Sequence, residues 1–439
     1  MKMELPTPVA QVLETLEAAG FASYAVGGCV RDACLGLTPQ DYDLCTQALP
    51  EQIESLFSDR DLDLTGVDHG TVRIPTAFGP VETTTLRQEG SYEDSRHPGW
   101  VRFVKDIRLD LERRDFTVNA MAYSPSRGLQ DPFGGQQDLQ NGILRTVGDP
   151  ELRFREDALR ILRALRFAVR FHLQVEEKTL EAMNANRGLL DRLSGERIFE
   201  EVSKVLPLMD HRELQTFAPI LSQVIPELGP MVGFDQHSPH HRYDLYTHTA
   251  LVTEQVPPDL VLRWAALLHD IGKVPTFTRD ETGRGHFYGH APAGAEMARK
   301  ILVRLKAPRD LREPVVKLIG EHMERMPQEP GKLKRRIRSL GWELSEKLFY
   351  LQRADLMSKG TDTAEDRAYF PALRQIMDSL KGCCLEPGEL KITGEQLMAL
   401  GFRGREIGDG LEALLELVMD DEIPNEEKAL LEKAEQLRN

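Results

Sequence analysis

Asp41 and Asp43, in TPQDYDLCT, stand one residue apart and follow Gly27, Gly28 and Arg31 in SYAVGGCVRDACLG. In an extended strand alternate residues share a face, so both carboxylates point to one side and can hold magnesium ions. Two ions held this way activate a 3′-hydroxyl and stabilise a departing pyrophosphate in an in-line displacement. Glycines at a strand end let main-chain N–H groups approach a triphosphate, and an arginine can pair with its oxygens. A glycine turn and a solvated Asp-Tyr-Asp loop would explain either piece alone; together, at this separation, they point to nucleotide chemistry. Glu82, in GPVETTTLR, is a third carboxylate on a strand-like run, with simple solvation as the plain alternative.

A second constellation lies mid-chain: His248 in YTHTAL, His269 and Asp270 in AALLHDIGK, His290 in YGHAPAGAEMA, His322 in GEHM and Asp355 in RADLM. Imidazole and carboxylate ligands hold Mg, Mn, Ni or Co and can activate water for phosphoester hydrolysis; a buried structural His–Asp hydrogen bond is the alternative. His237, His240 and His241, in HSPHHRYD, read as a surface loop rather than as ligands.

The elements that must position these groups change character near residue 150. Val9, Val12, Leu13 and Leu16 predict an amphipathic helix over 8–19, stopped by Gly20 and followed by a strand at SYAVGG. Further strands are expected at DYDLCT, GTVRIPT, GPVETTTLR and DFTVNAMAY. Helical patterns then dominate, with breaks near 229–238, 257–259, 327–331 and 383–388. The expected class is α+β: a small mixed α/β head carried on an all-helical remainder. The expected domains are a head over 1–150, a helical neck over 151–230, a body over 231–360 and a helical tail over 361–439.

The 439 residues are 41% hydrophobic and 28% charged, as in a globular protein, and no apolar run is long enough to cross a membrane. No signal-peptide pattern opens the chain, so a cytoplasmic protein is expected. The five cysteines, Cys29, Cys34, Cys45, Cys383 and Cys384, lack zinc-ligand spacing and fit reduced thiols. A net charge of −15 argues against a nucleic-acid partner only if charge is evenly spread. It is not: Arg153, Arg155, Arg160, Arg163, Arg166 and Arg170 cluster in one stretch and Lys332, Lys334, Arg335, Arg336 and Arg338 in another, while acids gather from Glu406 onward.

GGxVRD followed by DxD resembles the head motif of the class II tRNA nucleotidyltransferase and bacterial poly(A) polymerase family, within the DNA polymerase beta-like superfamily. LERRDFTVNAMAY, DPFGGQQDL, TVGDPELRFREDALRILRALRFA and SGERIFEE follow in that family's order, so the resemblance covers roughly the first half of the chain. It implies a polymerase-beta-like head that adds nucleotides without a template, with Mg²⁺ at Asp41 and Asp43. Gly28 and Arg31 would meet the phosphates and Arg114 the nucleotide. Asp157, Arg160, Arg163 and Arg166, of EDALRILRALR, would form the nucleotide-binding side, its Asp and Arg reading the base. The mid-chain pattern looks like an HD domain, implying a second divalent metal at His248, His269, Asp270 and Asp355.

On a helical wheel started at Asp157, Ile161, Leu162, Leu165, Ala168 and Val169 cover one face and Arg160, Arg163, Arg166 and Arg170 nearly the opposite one. Few neighbouring acids balance these arginines, which favours an anionic ligand. Asp115, beside Arg114, is expected to bond the backbone or orient Arg114.

The implied activity is CCA addition to tRNA from CTP and ATP. The stretch LRQEGSYEDSRHPGWVRFVKDIRLDLERRDFT resembles the flexible loop that CCA- and A-adding enzymes possess and CC-adding enzymes have shortened. A-only addition and poly(A) synthesis are the alternatives within the family, and an HD phosphohydrolase with an RNA-binding head the alternative outside it. The run Lys332–Arg338 is expected to help hold the tRNA acceptor stem.

Overall fold

The structure, a computed structural model, describes residues 3–90, 100–239, 241–361 and 363–438. Helix α1 (Thr7–Ala18) carries a proline in its first turn, where the missing N–H costs nothing, and buries Val9, Val12, Leu13 and Leu16. Gly20, at φ +91°, turns the chain toward strand β1 (Ser23–Val26), all of whose residues are buried. Helix α2 (Gly28–Cys34) follows directly.

Strands β2 (Asp43–Thr46), β3 (Thr71–Thr76), β4 (Gly79–Thr85), β5 (Ala122–Ser124) and β6 (Gly128–Gln130) complete a six-stranded mixed sheet in the order β3-β4-β2-β1-β5-β6. Its register sets Arg73, Glu82, Asp43, Val26 and Ala122 in one row across the sheet, so Asp43 stands beside Glu82 and one residue from the glycine turn. Tyr24, Val26, Cys45, Leu86, Leu111 and Ala122 belong to the core beneath. Full burial of a large apolar side chain such as Leu111 contributes roughly 1.5–3 kcal/mol.

The strand expected over DFTVNAMAY forms only in its last part. Thr117–Asn119 instead makes one 3₁₀ turn, which directs the Asn119 side chain into a polar network rather than along a ladder.

Helix α3 (Pro150–Glu156), capped by Asp149, ends at Asp157, whose backbone is extended. Helix α4 (Leu159–Arg170) starts afresh beyond it and packs on α5 (Gly195–Val205), which Ser194 caps. Asp157 therefore sits in a break between helices and does not share the arginine helix on which the wheel placed it; its Oδ1 accepts from Leu159 N at 3.0 Å.

The chain divides into two compact units, Met1–Leu208 with Thr216–Pro226, and Met209–Gln215 with Glu227–Asn439. The head and most of the neck read from the sequence fall in the first, the body and tail in the second. The second unit is helical, built around α6 (Leu245–Gln255), α7 (Leu260–Leu268), α8 (His290–Arg304), α9 (Arg309–Glu321), α10 (Pro330–Leu340), α11 (Trp342–Met357) and α12 (Arg405–Met419). Two-residue strands at Thr278–Arg279 and Gly285–His286 form a small hairpin before α8. Among the described residues no helix is long and apolar enough to cross a membrane, and none of the five cysteines is in a disulfide.

Candidate functional site

At the start of β2 the side chains alternate as the sequence predicts: Asp41 and Asp43 reach the surface while Tyr42 and Leu44 are buried, Tyr42 edge-on to Phe78 at 5.3 Å. Although Asp43 reaches the surface, packing around its carboxyl raises its proton affinity, and the negative Glu82 and Asp41 raise it further against the pull of Arg114. Crowded carboxylates of this kind suit hard divalent cations. Glu82 is also held by Arg73, 2.6 Å away across the β3–β4 ladder.

Gly27, at φ +77°, caps α2. A Cβ there would stand 2.9 Å from Arg114 Nη1, so the glycine makes room for Arg114 to lie against the turn and near Asp43. Asp110, fully buried, receives Arg113 at 2.9 Å and Arg114 at 3.4 Å. Arg31 is buried and lies over the Phe171 ring at 4.2 Å. It donates to Asn119 Oδ1 at 2.7 Å and to Asp32 Oδ1 at 2.7 and 2.9 Å, so three of its five N–H groups are engaged within the protein.

From Asn119 the network continues inward. Asn119 Nδ2 donates to Asp115 Oδ1 at 3.0 Å, and Arg163 donates to Asp115 Oδ2 through Nε at 2.8 Å, with its Nη2 at 2.7 Å. Asp115 also accepts from Phe116 N at 2.9 Å, as expected, but the arginine it orients is Arg163 rather than Arg114. Burial opposes its ionisation, yet Arg163 and Asn119 outweigh it and hold the carboxyl at about 2. Asn119, hidden in an apolar run, was not singled out from the sequence, yet it links Arg31 through Asp115 to Arg163.

The arginines of α4 are better balanced than their sequence neighbours suggest. Arg160 is buried and gives its N–H groups to Glu156 at 2.6 Å and to the carbonyls of Arg153 and Arg113 at 3.2 and 2.9 Å. Arg166 meets the buried Glu201 at 2.8 Å. Glu156 lies one turn back, but Asp115 and Glu201 come from other elements, which a wheel of one helix does not contain. Asp157 faces Arg197 at 3.7 Å.

The Lys332–Arg338 run is likewise neutralised. Lys334 pairs with Asp421 at 2.6 Å, Arg335 with Glu416 at 2.7 Å, Arg336 with Glu321 at 2.8 Å, Arg338 with Glu412, and Lys332 with Glu329 at 2.6 Å. The acidic C-terminal stretch and this basic helix answer each other, so the run is not a free face for phosphates.

The second unit brings its His and Asp residues together from α6, the end of α7, the start of α8, the end of α9, and α11. His248 Nε2 lies 3.1 Å from Asp355 Oδ1 and 3.5 Å from Asp270 Oδ2; His269 Nε2 lies 3.3 Å from the same Asp270 oxygen. These four residues are one group able to hold an ion. Lys273, one turn after Asp270 in HDIGK and missed in the sequence, reaches Asp270 Oδ2 at 2.7 Å. Burial raises the proton affinity of Asp270 and Asp355, but His269 and Lys273 beside the first, and Lys359 and His248 beside the second, hold both carboxyls well below the usual range.

A cavity of about 420 Å³ opens over this cluster, lined by His241, Lys273, Tyr288, His290, Asp355 and Lys359 among others. His241 therefore lines the cavity rather than a surface loop, its ring 5.3 Å from that of His248; burial drives its imidazole down to about 3, keeping it neutral. His237 stacks on Phe277, while His240 and residues 91–99, part of the stretch expected to be a flexible loop, lie outside the described residues.

Residues 23–145 match the poly A polymerase head domain, 172–208 the probable RNA and SrmB-binding site of polymerase A, and 241–359 the HD domain. A CCA-adding enzyme of Limosilactobacillus fermentum is 46% identical over 210 residues, 47% of this chain; the match spans 52% of that relative, about half its length. A CCA-adding enzyme of Streptococcus thermophilus is 32% identical over 433 residues, 96% of this chain and 94% of the relative. The Bacillus stearothermophilus CCA-adding enzyme, solved in complex with CTP, superposes with a TM-score of 0.70 at 26% identity, covering 99% of this chain and 98% of that one. The Thermotoga maritima CCA-adding enzyme, solved with tRNA(CCA), shares the fold at a TM-score of 0.65 and 21% identity, covering 99% and 97%.

Proposed function

Since the chain belongs to the family of CCA-adding enzymes, we propose that it adds CCA to the 3′ end of tRNA in the cytoplasm, using CTP and ATP, and releases pyrophosphate. The observation that carries this reading is the row across the sheet in which Asp43 stands beside Glu82 and next to the Gly27 turn, with Arg114 against that turn.

Asp41 and Asp43 would hold Mg²⁺, for which their hard oxygen donors and mutually raised charge density are suited. Such ions, when bound, supply activation of the 3′-hydroxyl and neutralisation of the pyrophosphate. Gly28, in the first turn of α2, offers its main-chain N–H to the triphosphate, while the N–H of Gly27 is given to Met121 O at 3.0 Å. Arg114 lends its charge beside Asp43, while Arg31, held by Asp32 and Asn119, keeps two N–H groups for phosphate oxygens. Asp157, Arg160, Arg163 and Arg166 form the nucleotide-binding side. Arg163 is a third exposed and meets Asp115 through Nε and Nη2, which leaves Nη1 for the edge of a base. A fixed guanidinium edge can stand in for a template strand, because base edges differ in donors and acceptors.

The His and Asp cluster of the second unit supports a further metal-dependent phosphohydrolase activity, with an ion at His248, His269, Asp270 and Asp355. Purified protein incubated with tRNA lacking CCA and labelled CTP and ATP should extend it by three nucleotides. Asp41→Ala should abolish incorporation and leave phosphoester hydrolysis intact. Extension by adenosine alone would favour A addition, a long adenosine tail poly(A) synthesis, and hydrolysis without extension would sink the polymerase reading.

A further inference from the structure

We infer that Asn119 is a positioning residue that couples phosphate binding at Arg31 to base choice at Arg163, so that a nucleotide's triphosphate sharpens the reading of its own base. This rests on the reading of Arg31 as a phosphate ligand and of Arg163 as a base reader.

The connection is a single file of hydrogen bonds. Arg31 Nη1 donates to Asn119 Oδ1 at 2.7 Å, Asn119 Nδ2 donates to Asp115 Oδ1 at 3.0 Å, and Arg163 Nε donates to Asp115 Oδ2 at 2.8 Å. An amide suits the middle place, since it accepts from a guanidinium on one side and donates to a carboxylate on the other. Turned over, it would set its NH₂ against Arg31 and its oxygen against Asp115, so its orientation is fixed. A carboxylate there would face Asp115 with like charge, and an aliphatic side chain would leave a buried donor and acceptor unpaired.

The file runs through closed protein and ends in donors left open. Arg31, Asn119 and Asp115 are 6%, 6% and 8% exposed, so little water reaches the bonds between them and each bond polarises the next. At one end Arg31 keeps two N–H groups beyond those given to Asn119 and Asp32; at the other Arg163 keeps Nη1. A network serving packing alone would use up its donors inside the protein. The charge on Asp115 is felt at the far end: burial lowers the proton affinity of Arg31, Asp32 opposes this, and Asp115 adds to the opposition from beyond Asn119. A phosphate on Arg31 draws that arginine's charge away from Asn119. The amide then donates more weakly to Asp115 and leaves more of the carboxylate's charge to hold Arg163.

The surroundings keep the members in place. Both arginines share the Phe167 ring of α4, Arg31 at 5.3 Å and Arg163 at 5.2 Å from its centre, and that ring meets the buried Phe116 edge-on at 5.7 Å. Asn119 N donates to Phe116 O at 2.9 Å and Val147 N to Asp115 O at 3.1 Å, so the backbone is held on both sides of the turn. Side chains packed this closely pass on a change in bonding instead of absorbing it by rotation.

Binding preferences test the coupling. Dissociation constants of the full chain for CTP and UTP, and for cytidine and uridine through displacement of CTP, are measured by calorimetry with Mg²⁺ present. The preference for CTP over UTP should exceed that for cytidine over uridine by about tenfold, which is what one charge-assisted hydrogen bond amounts to. Asn119→Leu should bring the triphosphate preference down to the nucleoside preference and leave the latter unchanged, with circular dichroism reporting whether the variant is folded. Equal preferences in the parent would overturn the coupling, as would a folded variant in which both preferences fall together, which is what a merely structural role produces. If the variant does not fold, the parent's two preferences decide alone. Extension of tRNA lacking CCA by the same preparation reports separately on the proposed function. A chain that extends tRNA with equal preferences loses the coupling alone, one that shows the difference without extending tRNA loses the proposed function alone, and one that binds no CTP loses both.

Discussion

Replacing Asp115 by asparagine keeps the shape of the side chain and removes the charge that Arg163 faces at 2.7 Å. The wild-type carboxyl is held at about 2 against an ordinary 3.8. At about 1.4 kcal/mol for each tenfold change in proton affinity, its ionised form stabilises the fold by about 2 kcal/mol. Because the folded value is depressed, this contribution is fully present above pH 4 and is lost as pH falls toward 2. Urea unfolding followed by circular dichroism at pH 7, 5 and 3 should find Asp115→Asn less stable by about 2 kcal/mol at the two higher values, narrowing to about half at pH 3. A difference of the same size at pH 3 and pH 7 would refute the assignment of the effect to the carboxylate charge, and no difference at pH 7 would refute the network itself. Base choice provides a second readout: Arg163 loses the partner that fixes its edge, so misincorporation of UTP should rise in the same variant.

Gly27→Ala forces a side chain into positive φ, at roughly 1–2 kcal/mol, and against Arg114, so kcat/KM for CTP and ATP should fall at least tenfold in steady-state incorporation assays. Glu82→Gln removes a negative neighbour that raises the proton affinity of Asp43, so the acid limb of the incorporation rate against pH should move to lower pH; a shift to higher pH would contradict the placement of Glu82.

What could be read from the sequence was governed by local periodicity and residue type. The buried stripe of α1, the alternation of Asp41, Tyr42 and Asp43, and the glycine turn after β1 follow from spacings of a few residues, and these set the carboxylates at a strand end. The His and Asp positions of the helical unit were also legible, because few other roles call for those types together. Partners distant in the chain were not. Asp115 reaches Arg163 across 48 residues and Arg335 reaches Glu416 across 81, so arginines that look unbalanced along one helix are neutral in the fold. The break at Asp157 and the turn at Asn119 went against the local pattern because tertiary polar contacts, not propensity, chose the backbone there. Most of all, nothing in the order of residues says which oxygen of Asp270 meets which imidazoles; that depends on how closely helices separated by dozens of residues can approach, which packing alone decides.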